Sequence, residues 1–69
     1  MKISARNVLK GKVKSIVEGA VNAELEIEIG GGNIITSIIS LSSLKNLEIK
    51  VGKEVYGIVK ASNVMVAID

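Results

Sequence analysis

The sequence contains no cysteine, histidine, proline, tryptophan or phenylalanine, and its only aromatic residue is Tyr56. Each absence removes a class of explanation. Without Cys there is no disulfide framework, and without Cys and His neither the usual zinc sites nor the common nucleophile–base pairs can be assembled, so an enzyme is not expected. A reader of single-stranded nucleic acid stacks bases on aromatic side chains, at about 1 to 3 kcal/mol each, and one tyrosine is a poor platform. No apolar run approaches the ~18 residues of a membrane-spanning helix. Met1-Lys2-Ile3-Ser4 does not read as the start of a signal peptide, so a cytoplasmic protein without membrane attachment is the expectation.

What is present is a short chain rich in small aliphatic side chains. Sixty-nine residues, 48% of them hydrophobic, suffice for one domain spanning residues 1–69. A domain of this size buries only about 60% of the surface its unfolded chain exposes. Ordering each residue costs about 1.5 kcal/mol, so a core this small needs a supplement. With disulfides and structural metals excluded, association with identical copies is what remains, and a second apolar surface covered by neighbours is expected. The net charge of +2 suits anions of any size without marking a dedicated nucleic-acid binder.

Periodicity points to an all-β chain. Residues 21–29 alternate, with Val21, Ala23, Leu25, Ile27 and Ile29 on one face and Asn22, Glu24, Glu26 and Glu28 on the other, the pattern of a half-buried strand. Residues 5–18 alternate less cleanly, Leu9, Gly11, Val13, Ser15 and Val17 opposing Val8, Lys10, Lys12, Lys14, Ile16 and Glu18, and predict a long strand bent at Gly11. Gly30-Gly31-Gly32-Asn33 reads as a hairpin turn rather than a phosphate cradle, because the β-branched run that follows forms a strand and not a helix. That third strand carries Ile on both faces, as a strand buried on two sides does. Ser40 to Asn46 has Leu41 and Leu44 three apart, Ser40 as N-cap and Asn46 as stop, and predicts one short helix. Val55–Lys60 and Val64–Ile68 follow as closing strands around Ala61-Ser62-Asn63. The expected fold is therefore a five-stranded OB-type barrel with one short helix between strands 3 and 4, an architecture that hosts unrelated ligands.

Candidate chemistry lies in hydrogen-bond donors. Ser4, Arg6 and Asn7 precede the first strand, and Lys60, Ser62 and Asn63 lie between the last two. Permanent cations, serine hydroxyls and main-chain N–H groups beside the small Ala5 and Ala61 together suit a tetrahedral dianion. The helix start at Ser40–Ser43 offers a third donor cluster. The plainer account is also open: Ser40 as a cap only, Arg6 and Lys60 as solvated surface charges. Glu24, Glu26 and Glu28 have the spacing of a solvated strand face, too flat to wrap a hard cation.

Three blocks, Ser4-Ala5-Arg6-Asn7, Gly19-Ala20-Val21-Asn22-Ala23-Glu24 and Lys60-Ala61-Ser62-Asn63-Val64-Met65-Val66-Ala67, resemble the signature blocks of the molbindin (Mop) family, and the likeness covers nearly the whole chain. Related domains of that family end molybdate-responsive regulators and importer ATPases; this chain, with no DNA-binding or nucleotide-binding part, resembles the free-standing single-domain member. The resemblance implies an OB-type barrel assembled as a hexamer, a trimer of dimers, holding molybdate or tungstate at subunit interfaces for storage in the cytoplasm and molybdenum homeostasis. It assigns Ser4, Ala5, Arg6, Lys60, Ala61 and Ser62 as oxyanion contacts, adds Ser40 and Ser43 at the helix start, and places Gly19 and Ala20 in a turn motif of the site. Leu41 and Ser42 stand where the family's residues are more often polar or charged. Independently of the resemblance, a site made only of donors favours anions that are unprotonated dianions at neutral pH, such as molybdate, tungstate and sulfate, over phosphate, which often keeps a proton. The alternative is a nucleic-acid-binding OB domain using Lys10, Lys12, Lys14, Lys45, Lys50 and Lys53, set against the lack of aromatics.

Overall fold

The computed structural model describes residues 1–69 and shows four strands, one short helix and one 3₁₀ turn: β1 (Asn7–Glu18), β2 (Asn22–Gly30), β3 (Asn33–Ser40), α1 (Leu41–Asn46), β4 (Glu54–Val59) and the turn Ala61–Asn63. The strands form one antiparallel sheet in the order β3-β2-β1-β4. The sheet curls into a half-barrel whose outer strands, β3 and β4, are not hydrogen-bonded to each other.

The expected fifth strand is the main correction. Residues 64–69 carry no regular structure, and Met65, Val66 and Ile68 are 93%, 89% and 93% exposed. Val64-Met65-Val66-Ala67-Ile68 is apolar at every position, so neither of its faces suits water. Within one chain it pairs with neither free edge, and the barrel stays open.

The centre forms as the periodicity predicts. Ala23, Leu25 and Ile27 of β2 form a buried cluster with Leu44 of α1, Ile35, Ile39, Ile49 and Val55 pack around it, and Val13 of β1 is buried as well. Val21 lies before the strand and is 71% exposed, so it does not join that face. The blurred alternation of β1 has a local cause. The register with β2 slips between Val13 and Ser15, and this bulge sends Ile16 inward opposite Leu25 while Ser15 and Val17 turn outward opposite Glu26 and Glu24. The irregularity is thus near Lys14 and not at Gly11. Gly11 serves close approach, since a Cβ there would collide with the Glu28 carbonyl oxygen of β2.

Gly31 and Gly32 make the β2–β3 turn with φ of 61° and 78°, the left-handed pair of a type I′ hairpin that β-branched residues avoid. On β3, Ile35 and Ile39 face inward opposite Ile27 and Ala23, while Ile34 and Ile38 face outward opposite Glu28 and Glu24. Ile38 is 65% exposed, so the second burial of this strand is not supplied within one chain. Helix α1 starts at Ser40, whose Oγ accepts the Ser43 N–H at 3.0 Å. Its last residue is Asn46, Leu47 is the C-cap and Glu48 takes the left-handed φ of 52°. Glu48 N–H then bonds Lys45 O and Ile49 N–H bonds Leu44 O, a Schellman closure with Ile49 packed beside Leu44. Lys53 Nζ donates to the Leu47 and Glu48 carbonyls at 2.8 and 3.1 Å, tying the approach to β4 onto the helix end.

Candidate oxyanion groove

The β1–β4 ladder runs from the Asn7–Val59 pair inward to Lys12–Glu54. The residues just outside its outer rung are Arg6 on one chain segment and Lys60 on the other, so two stretches nearly the whole sequence apart leave the sheet side by side. Between them lies an open groove of about 720 Å³ lined by Ser4, Ala5, Arg6, Lys60, Ala61 and Ser62, with Ile3, Ile58 and Asn63 completing its walls.

The groove is donor-rich and free of carboxylates. Asn63 N–H donates to Lys60 O at 2.8 Å and Val64 N–H to Ala61 O at 3.3 Å, closing the 3₁₀ turn. The N–H groups of Ala61 and Ser62, at the start of that turn, have no carbonyl within it to bond. Arg6 and Lys60 are exposed and have no carboxylate within ion-pair distance; the chain's one ion pair is Lys10–Glu54 at 3.7 Å, on the outer surface. Two uncompensated cations, two serine hydroxyls and the two residues whose main-chain N–H groups are free of the turn therefore line one space. Such a set can bind an acceptor-only anion by charge-assisted hydrogen bonds. The groove far exceeds the few water volumes, about 30 Å³ each, that a small oxyanion fills, so one chain supplies walls without a lid.

The four other sequence candidates lie elsewhere. Gly19 and Ala20 follow the opposite end of β1, where Gly19 N–H donates to Asn22 O at 2.7 Å. Ser40 pairs with Asn22 at that same end. Ser40 Oγ donates to Ser43 Oγ at 3.0 Å besides capping the helix, so the two hydroxyls are engaged with each other. Within one chain these four do not meet the groove. Ile3 and Ile58 were not among the sequence candidates. Ile58 lies on the outward face of β4, where alternation alone predicts solvent, and Ile3 belongs to no periodic segment.

Elsewhere, Glu26 accepts from Ser15 Oγ at 2.7 Å and Glu28 stands opposite Lys12 across the β1–β2 ladder. The hollow beside α1 mixes Glu18 and Glu48 with Lys45, Lys50 and Lys53, so it does not share the carboxylate-free lining of the groove.

The TOBE domain model matches residues 3–66. Over its full 69 residues the chain is 58% identical to a probable molybdenum-pterin-binding protein of Haemophilus influenzae, covering all of both chains. The chain belongs to the TOBE domain family and, within it, to the molybdenum-pterin-binding (Mop) proteins. Solved structures of Mop-type proteins share its fold. MopII from Clostridium pasteurianum superposes with a TM-score of 0.91 at 52% identity, covering 97% of this chain and 100% of that one. ModG, a cytoplasmic molybdate-binding protein solved with molybdate bound, superposes with a TM-score of 0.90 at 43% identity, covering 94% of this chain and 46% of that longer one. The all-β half-barrel with its short helix is thus a Mop-type fold. No helix in it is long and apolar enough to cross a membrane.

Proposed function

We propose that this Mop-type chain binds molybdate and tungstate as tetrahedral dianions, as a binding protein and not a catalyst, and so stores and buffers molybdenum in the cytoplasm. The observation that carries the reading is the cationic, carboxylate-free groove assembled by the outer rung of the β1–β4 ladder. A site whose only charged groups are cations, with no carboxylate to take up a proton from the ligand, favours fully deprotonated dianions. The molybdate bound in the similar ModG structure supports the same ligand class. Residues 1–69 act as one unit, because the groove needs both ends of the chain.

The site is completed between copies. Ser4–Arg6 and Lys60–Ser62 sit at one end of β1 and Gly19, Ala20, Ser40 and Ser43 at the other, so all ten residues can share an oxyanion only when one copy's end abuts another's. The apolar tail Val64–Ile68 supports association, as does the apolar hollow of about 370 Å³ left between β3 and β4, lined by Leu25, Ile27, Ile39, Val55 and Ile58 among others. One copy's tail supplies the strand that the other's half-barrel lacks. The proposed assembly is the hexamer, a trimer of dimers.

Native mass spectrometry with molybdate, tungstate, sulfate and phosphate in turn tests both parts. A hexamer taking up several molybdates or tungstates, with little phosphate, is the expected result. A monomer or dimer that takes up none overturns the reading, and a gel shift by single-stranded oligonucleotides unaffected by molybdate replaces it with nucleic-acid binding.

A further inference from the structure

Asn7 occupies the junction between the ladder and the groove. Its Nδ2 donates to the Val59 carbonyl at 3.2 Å, joining positions 52 residues apart, and it is the only side-chain hydrogen bond between β1 and β4. Asn is a poor strand former, so its presence as the first residue of β1 is not explained by propensity. Its neighbours explain it better: Arg6 precedes Asn7, and Lys60 follows Val59.

We propose that Asn7 is a positioning residue for the oxyanion site, a clamp that fixes the separation of the Ser4–Arg6 and Lys60–Ser62 segments and the orientation of the Val59–Lys60 peptide. The inference rests on the oxyanion reading above and extends it to a residue that does not line the groove. A trans peptide is planar, with its C=O and N–H pointing to opposite sides. Holding the Val59 oxygen therefore fixes the direction of the Lys60 N–H and sets where the turn at Ala61 begins. Without the clamp, the outer rung of a ladder frays readily, because no further pairs lie beyond it. The donors would then have to be ordered by the anion itself, at a cost in affinity.

The test is calorimetric titration of molybdate into wild type, Asn7→Leu, Asn7→Ala and Asn7→His, with native mass spectrometry of each. Leu matches Asn in the number and branching of its heavy atoms without the N–H donor, so it guards against misfolding of the Ala variant, while His places a ring N–H where the Asn amide stood. A control, Val13→Ala, loosens the buried middle of β1, away from both the groove and the hollow between β3 and β4. The expected result is binding about fivefold to tenfold weaker in the Leu and Ala variants at unchanged assembly, the equivalent of one neutral hydrogen bond. His should restore most of the loss, whereas the control lowers Tm and keeps wild-type affinity. Amide exchange of the ligand-free protein should quicken at Lys60–Ser62 in Asn7→Leu and stay unchanged at Leu25 and Ile27. Wild-type affinity in both the Leu and Ala variants, or a His variant as weak as Leu, overturns the clamp alone. A wild-type protein that takes up no molybdate overturns the oxyanion reading, and the clamp with it.

Discussion

Along the β1–β2 hairpin the inward residues Val13, Ala23, Leu25 and Ile27 are at most 4% exposed, whereas every residue from Lys60 to Asp69 is exposed. The two regions have similar aliphatic content and opposite fates. In the hairpin, apolar and polar side chains alternate, so one face can be buried while the other stays in water. In the tail they do not alternate, and no single half-barrel can bury both of its faces. The closed half of the molecule holds the fold, and the half left open holds the donors.

Removing residues 64–69 should break that division most severely. Each Val, Met or Ile buried between copies is worth about 1.5 to 3 kcal/mol, so the truncated chain is expected to lose its assembly in native mass spectrometry and most of its molybdate affinity. A truncated chain that still assembles would show that the tail is not the connector. Leu25→Ala strikes the closed half and should cost about 2 to 5 kcal/mol of stability, read from denaturant unfolding. Arg6→Ala and Lys60→Ala reverse the pattern: each should weaken binding by roughly 1.5 to 3 kcal/mol by calorimetry, with Tm nearly unchanged. If Tm fell and affinity held, these cations would be structural. Ser40→Ala should have the smallest effect, about 1 kcal/mol of stability from the lost cap. A further loss of molybdate affinity in that variant would place the helix start at a shared site, since one chain alone keeps it away from Arg6.

β2 was the most legible element, since alternation from Ala23 to Ile27 matches the buried cluster and only Val21 departs from it, together with the Gly31–Gly32 turn, where positive φ requires the glycines. β1 was legible as a strand but not in phase, because a bulge changes which residues face inward without leaving a mark in composition. The fifth strand was legible as a strand-forming segment, yet pairing depends on an available edge and not on propensity. In the site, the donors at both chain ends could be listed from residue types. Their meeting in one groove depends on β1 and β4 pairing across 52 residues, which periodicity does not encode.

Composition by itself determined that this protein cannot rely on disulfides, on His or Cys metal sites or on aromatic stacking, because those chemistries need side chains it does not have. Local pattern determined the strands, the hairpin turn and the capped helix, since alternation, positive φ and capping are set by neighbouring residues. Only the tertiary structure decided that Arg6 and Lys60 share one groove, that Asn7 joins their segments, and that Ser40 stands at the far end of β1. Strand register is the physical reason: it is set by the packing of distant segments against a common core, and it alone brings the two ends of the chain together.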